Sequence, residues 1–177
     1  MRLLVILMAL LLSGCSSMIN STEMVKLPYY SNAWQIREIN SWPPANNVSV
    51  AVQLFYKHWK MEFGDRDQKV LKALNTLMIE WAEPQQRKIL GYSADGSMKR
   101  GKIKGVALSP SYIKIYKRGY ERIAATSLVH ELVHIALWNS GNILGDPDHE
   151  GHAYHGWTIK HTKLIEDVNS ILANINI

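Results

Sequence analysis

Two histidines and a glutamate occur close together in an otherwise apolar segment, SLVHELVHIALW, residues 127–138. His130 and His134 are four positions apart, so on a helix their imidazoles lie on the same face, one turn from each other. At that separation both rings can bind one Zn²⁺ at about 2.0–2.1 Å. Glu131 would then point toward the open side of the metal, where its carboxylate can accept a proton from a zinc-activated water. The pattern predicts a hydrolytic zinc site with Glu131 as the general base.

The segment around this motif is apolar on nearly its whole circumference, which predicts a buried helix over residues 121–139. Burial of two imidazoles and a carboxylate along one line is costly unless each group has a partner. A shared cation, bound by the two imidazoles with the carboxylate toward its open side, would be such a partner. The alternative is that hydrogen bonds within the core satisfy the histidines without any metal.

A group of further ligand candidates follows the motif in the segment GDPDHEGHAYHGWTIKH, residues 145–161. A catalytic zinc site needs a third protein ligand and one position left for water. The candidates are His149, Glu150, His152, His155 and His161. The last of these lies within the final predicted helix, where a structural role is expected, and the residues alone leave the choice among the others open.

Three features of the C-terminal part resemble the SprT-like (Spartan) group of zinc metallopeptidases, over roughly residues 102–169. They are the strand KIKGVALS, the helix with LVHELVHIALW, and a His-Gly step before the last helix. The resemblance implies a zincin-like fold, in which a small antiparallel or mixed sheet packs on an active-site helix and a C-terminal helix. It also implies peptide-bond hydrolysis with Zn²⁺ as cofactor, His130 and His134 as ligands and Glu131 as general base.

The same resemblance indicates a third ligand. In that family it is the histidine of the His-Gly step, which corresponds to His155 followed by Gly156. The usual spacing in the family is shorter, and His149, fifteen residues after His134, lies nearer to it. His155 is therefore the expected third zinc ligand, with His149 as the alternative and His152 as a further candidate.

The resemblance also implies where a substrate would bind. If KIKGVALS is an edge strand beside the active-site helix, an extended peptide can pair with it by strand addition and place its scissile bond over the zinc. Nucleic acid is not an expected partner. The formal net charge is +5, but the basic residues are dispersed except in the loop MKRGKIKG, residues 98–105, which lacks interleaved aromatic residues.

The N-terminus has the three parts of a secretory signal: Arg2, an apolar run over residues 3–12, and the tetrapeptide LSGC. The run is too short to span a bilayer. LSGC resembles a bacterial lipobox, which implies that residues 1–14 are a signal peptide and that Cys15 receives diacylglycerol and palmitate chains. Cys15 is the only cysteine, and Ser16 replaces the aspartate that favours inner-membrane retention. We expect an outer-membrane lipoprotein facing the periplasm.

The length and composition predict one folded domain, since 177 residues with 47% apolar and 20% charged side chains can form a single core. Residues 15–60 are expected to form a tether and an N-terminal segment, and residues 61–177 the metallopeptidase domain. The predicted elements together form an α+β fold. They are a strand leading into a short helix over 48–59, a helix over 65–81, a hairpin of strands 88–92 and 101–108, a strand over 112–116, and helices over 121–139 and 157–171.

These observations favour a membrane-anchored zinc metallopeptidase, an enzyme that hydrolyses peptide bonds of peptide or protein substrates. Two alternatives use the same residues. One is a lipoprotein that binds metal without turnover, and the other is a zinc amidase that acts on cell-wall peptides. The motif does not separate them, because the substrate pocket is not encoded in it.

Overall fold

The computed structural model describes residues 35–40, 45–84, 89–92, 98–117, 122–141 and 156–177. Within these ranges the fold is α+β, as the sequence predicts. The elements in chain order are β1 (Arg37–Ile39), α1 (Ala45–Glu62), α2 (Lys69–Asn75), β2 (Met78–Ala82), β3 (Ile89–Tyr92), β4 (Met98–Gly101), β5 (Gly105–Ser109), β6 (Tyr112–Tyr116), a 3₁₀ turn (Ile123–Ala125), α3 (Leu128–Asn139) and α4 (Ile159–Asn174).

The main sheet is mixed and has the strand order β1-β2-β6-β5. Strands β1 and β6 both run parallel to β2, whereas β5 runs antiparallel to β6. In the described part of the sheet, β5 is therefore an edge strand. Strands β3 and β4 form a separate antiparallel pair in which Ile89 is opposite Gly101.

One face of the main sheet is covered by helices, and the strand sequences show why. In β2 and β6 every second side chain is apolar and fully buried, namely Ile79 and Trp81 in one strand and Ile113 and Ile115 in the other. Because neighbouring residues of a strand point to opposite faces, these four side chains share one face. That face packs into the same hydrophobic core as the helices.

Helix α1 spans a segment for which the sequence predicts a strand and a short helix. Its buried residues Val48, Val52, Phe55 and Trp59 recur at helical spacing and belong to the common core. β-branched residues favour strands only weakly, and burial of this stripe against α3 and α4 outweighs that preference. Most of α1 precedes residue 61, so the core extends into the segment expected to be N-terminal to the domain.

The helix predicted over residues 65–81 is wrong in its second half. Helix α2 ends at Asn75, and residues 78–82 form the central strand β2. The pattern of apolar residues suits either structure, but pairing of β2 with both β1 and β6 decides for a strand. The start of α2 is supported by Asp65, whose carboxylate accepts hydrogen bonds from the backbone N–H groups of Val70 and Leu71.

The predicted hairpin is correct in its first strand and wrong in its second. Strand β3 pairs with residues 98–101, and residues 105–109 pair with β6 instead. The turn expected at residues 95–96 lies outside the described residues. Helix α3 begins at Leu128, seven residues later than predicted, because a 3₁₀ turn precedes it. No helix in the described ranges is both long and apolar enough to cross a membrane.

Candidate metal centre

Helix α3 places His130 and His134 with their ring nitrogens facing each other. Their Nε2 atoms are 3.2 Å apart, and the ring centroids are separated by 4.9 Å. Two nitrogens bound to one tetrahedral zinc ion at 2.0–2.1 Å would be about 3.3 Å apart. The pair therefore has the spacing that a shared metal needs. The same distance also permits a hydrogen bond between two neutral imidazoles, which is the metal-free alternative.

The site is buried on one side and open on the other. His134 and Glu131 each expose only 3% of their surface, whereas His130 is partly exposed. A carboxylate in such surroundings is stable only with polar or charged partners. Two imidazoles whose Nε2 atoms are 3.2 Å apart are ligands that suit a divalent zinc ion, so His130 and His134 fit the metal that the sequence predicts.

The start of helix α3 is held by local hydrogen bonds. Thr126 Oγ1 donates to the carbonyl of Ile123 at 2.7 Å and accepts from the N–H of Leu128 at 3.1 Å. The N–H of Glu131 then donates to the carbonyl of Ser127 at 3.0 Å. These bonds place Glu131 in the first turn, where the positive end of the helix favours a carboxylate.

Strand β5 runs beside α3, as expected for the segment KIKGVALS. At its first residue, Gly105, the backbone approaches the helix so closely that an added Cβ would lie 2.5 Å from Glu131 Oε1. The expectation that an edge strand lies next to the motif is therefore confirmed for the described residues. No local pattern in the sequence marks Gly105 as part of the site.

Trp157 is a second site residue that the sequence analysis does not assign to the site. The final helix is predicted to begin there, but it begins at Ile159. The ring centroid of Trp157 lies 5.1 Å from that of His130 and 5.2 Å from that of His134. The side chain is 3% exposed, and its Nε1 donates to Thr162 Oγ1 at 3.1 Å. Its position directly after the His-Gly step is the sequence signal that indicates a role at the site.

His161 has the structural role that its helical position predicts. Its Nδ1 accepts a hydrogen bond from the backbone N–H of Thr158 at 2.9 Å, which caps the first turn of α4. The ring stacks on Phe63, with 4.2 Å between centroids and a 7° interplanar angle. Burial lowers the pKa of His161 to about 4, against the smaller raising effects of Thr158 and Glu62. The imidazole is therefore neutral near pH 7.

The candidates for the third ligand, His149, Glu150, His152 and His155, lie outside the described residues, as do Cys15 and residues 1–14. Within the described ranges, no three histidine, cysteine, aspartate or glutamate side chains form a group that could hold a metal. Comparisons of the chain with protein-family models, with curated proteins and with solved structures find no match. The interpretation of the site therefore depends on its own geometry and on the motif.

Proposed function

We propose that this protein is a membrane-anchored zinc metallopeptidase with a zincin-like fold. The observation that carries the proposal is the 3.2 Å separation of the His130 and His134 Nε2 atoms, on a helix that also carries the buried Glu131. A motif helix packed between a mixed sheet and a C-terminal helix supports the zincin-like architecture. His130 and His134 would hold Zn²⁺, and Glu131 would act as general base.

His155 is the proposed third ligand, with His149 and His152 as alternatives. Support comes from Gly156 and Trp157, which follow His155 directly in the chain. Gly156 has a φ of +84°, which glycine adopts without strain, and Trp157 contacts both imidazoles.

Zn²⁺, when bound, supplies a Lewis acid that polarises a carbonyl group and makes water more acidic. The chain contributes the proton transfers. The Glu131 carboxylate accepts a proton from the attacking water and then passes it to the nitrogen of the cleaved amide, so that an amine leaves. Glu131 is 3% exposed, so little bulk water can compete with its carboxylate for these protons.

An extended peptide is the proposed substrate, bound along β5. The N–H of Tyr116 donates to the carbonyl of Lys104, so Lys104 faces β6. Along an antiparallel strand, the backbone N–H and C=O groups of successive residues point alternately toward one neighbouring strand and away from it. The groups of Gly105 and Ala107 therefore point away from β6, toward the open edge of the sheet. Those groups can form the hydrogen bonds of strand addition.

Cys15 is the proposed lipid attachment site, with an outer-membrane location on the periplasmic face and no nucleic acid as partner. The lipobox-like tetrapeptide before it supports this proposal. Labelled palmitate should be incorporated by the wild-type protein and not by Cys15→Ala. Equal labelling of the two would contradict the anchor.

The metal and the base are tested together by zinc analysis and a cleavage assay on the full-length protein in detergent. The wild type should contain one zinc ion per chain and cleave denatured casein. Glu131→Gln should retain zinc and lose cleavage, because an amide cannot accept the proton. His130→Ala should lose zinc. An active Glu131→Gln variant would contradict the mechanism.

The same assay separates the two alternative functions. Stoichiometric zinc without cleavage of denatured casein or of cell-wall peptides would favour a metal-binding lipoprotein. Zinc-dependent cleavage confined to cell-wall peptides would favour an amidase.

A further inference from the structure

A glycine on the edge strand lies directly against the proposed general base. The β5–β6 register places Gly105 opposite Ile115, whose side chain is buried on the helix-covered face, so Gly105 also faces α3. An ideal Cβ on Gly105 would lie 2.5 Å from Glu131 Oε1, 2.9 Å from Glu131 Cδ and 2.5 Å from Ser127 Oγ. Separations this short are strongly repulsive, so no side chain fits at position 105 unless something moves.

Neither backbone can easily withdraw from this contact. Strand β5 is paired in register with β6 from Gly105 to Ala107, and the Tyr116–Lys104 hydrogen bond of 2.9 Å extends the pairing past Gly105. Helix α3 is buried on nearly all sides, with Leu128 and Leu132 fully enclosed. A shift of either element would disturb the core, so an added methyl group would instead displace the carboxylate of Glu131 and the hydroxyl of Ser127.

Ser127 lies on the other side of the same small space. It precedes Glu131 by four residues, so the two side chains share one face of the helix. Its Oγ atom is buried and has no hydrogen-bond partner among the described residues. Both Ser127 Oγ and Glu131 Oε1 lie 2.5 Å from the same point, so they are at most about 5 Å apart. Gly105 and Ser127 thus both border the space next to the carboxylate.

We propose that Gly105 is a positioning residue that holds the Glu131 carboxylate where it can accept the proton of the attacking water. The inference rests on the proposed role of Glu131 as general base. A general base acts only within hydrogen-bond reach of the proton that it removes, about 2.6–3.2 Å between heavy atoms. The bare backbone at position 105 lets the carboxylate occupy the space next to β5.

A double-mutant cycle on unfolding tests the contact without reference to catalysis. The urea midpoint of the full-length protein in detergent is measured for the wild type, Gly105→Ala, Glu131→Ala and the double variant. Gly105→Ala should lower the midpoint in the wild-type background and lower it less when Glu131 is already alanine, because the Ser127 hydroxyl is then the one remaining close contact and can rotate into the space that the carboxylate leaves. Equal losses in the two backgrounds would overturn the inference.

Gly101→Ala is the matched control, because an added Cβ there meets no atom within 4 Å. Its effect on the midpoint should be the same in both backgrounds. Should Gly105→Ala alone fail to fold, a folded double variant would support the inference. Failure of both to fold would overturn it.

The catalytic consequence is tested with zinc analysis and cleavage of denatured casein. Gly105→Ala should retain one zinc ion per chain, show about a 100-fold lower kcat and change KM little, since the carboxylate and not the substrate site is displaced. Gly101→Ala should keep both parameters. A wild-type kcat in Gly105→Ala would overturn the positioning role. A wild-type protein that cleaves nothing would instead contradict the proposed function, while the unfolding cycle still decides whether Gly105 and Glu131 are in contact.

Discussion

At the scale of single residues, the two imidazoles of the motif are oriented by a side chain from another part of the chain. Trp157 contacts both rings at nearly equal centroid distances, 5.1 and 5.2 Å, and its indole N–H is anchored on Thr162. An apolar group around a metal site limits the movement of the ligands and keeps water away from them. Trp157 therefore provides the apolar support of the histidine pair.

Replacement of Trp157 by leucine should weaken zinc binding by about tenfold or more, because the imidazoles gain freedom that binding must then remove. Zinc affinity is measured by competition with a chromogenic chelator. Trp81→Leu is the control, since Trp81 is an equally buried indole on β2. It should lower stability and leave zinc affinity unchanged. Equal affinity in the wild type and Trp157→Leu would show that the indole does not support the site.

At the scale of elements, the candidate site is formed where a helix and an edge strand meet. Helix α3 carries the three motif residues, and β5 provides the backbone that lies against one of them. The outward N–H and C=O groups of β5 start at Gly105, next to Glu131. A peptide paired with this strand would therefore pass beside Glu131, the proposed general base, so the proposed substrate site and the proposed chemistry would be adjacent.

Ala107→Pro tests the role of the strand edge. Proline removes the N–H that Ala107 directs away from β6, and proline is tolerated at such positions of edge strands. We expect kcat/KM for a long extended peptide to fall by about tenfold, because one hydrogen bond to the peptide backbone is lost and the peptide pairs less well with the strand. Zinc content should not change, and a short peptide that does not reach β5 should be affected less. An unchanged preference for long peptides would contradict strand addition.

At the scale of the whole molecule, α1, α3 and α4 form one core with the sheet. His161 of α4 lies at the contact with α1, where it stacks on Phe63 and packs near Trp59 at 5.5 Å between centroids. The Lys160–Glu62 ion pair, 2.7 Å long, lies on the exposed side of the same contact. Exposed pairs of this kind contribute little, so packing holds the two helices together.

The free energy of unfolding should decrease as the pH falls from the pKa of His161 in the unfolded chain to its lower pKa in the folded protein. The folded-state pKa is about 4 because of burial, and the ordinary value is 6.5, so below pH 6.5 the unfolded chain binds a proton more readily. The contribution of the neutral ring is fully present above pH 6.5 and is lost progressively down to about pH 4. Glu62 is the carboxylate that faces the ring and opposes the shift.

Urea unfolding of the metal-free protein at pH 7 and pH 5 measures this loss. His161→Gln retains an oxygen that can accept the Thr158 hydrogen bond but does not titrate, so it should lose less stability than the wild type between these pH values. All groups other than residue 161 are common to both proteins, so their contributions cancel in the comparison. An equal loss in both would show that His161 does not titrate as its burial implies.

The parts of the fold that sequence could predict are those set by local geometry. The i, i+4 spacing of His130 and His134 brings their rings together on any helix, and the strand at residues 112–116 follows from simple alternation. Residues 78–81 could not be assigned in this way, because their apolar spacing suits a helix or a strand. Pairing with β1 and β6, which are distant in sequence, decided the strand.

The sequence by itself therefore determined the motif helix, its burial and the geometry of its two histidines, since these depend only on residues within a few turns of one another. Tertiary structure alone decided which groups surround that helix. Trp157 meets the imidazoles, and Gly105 meets Glu131, only because the chain folds back from positions far from the motif. Contacts of this kind depend on how the elements pack, and packing is a property of the whole chain.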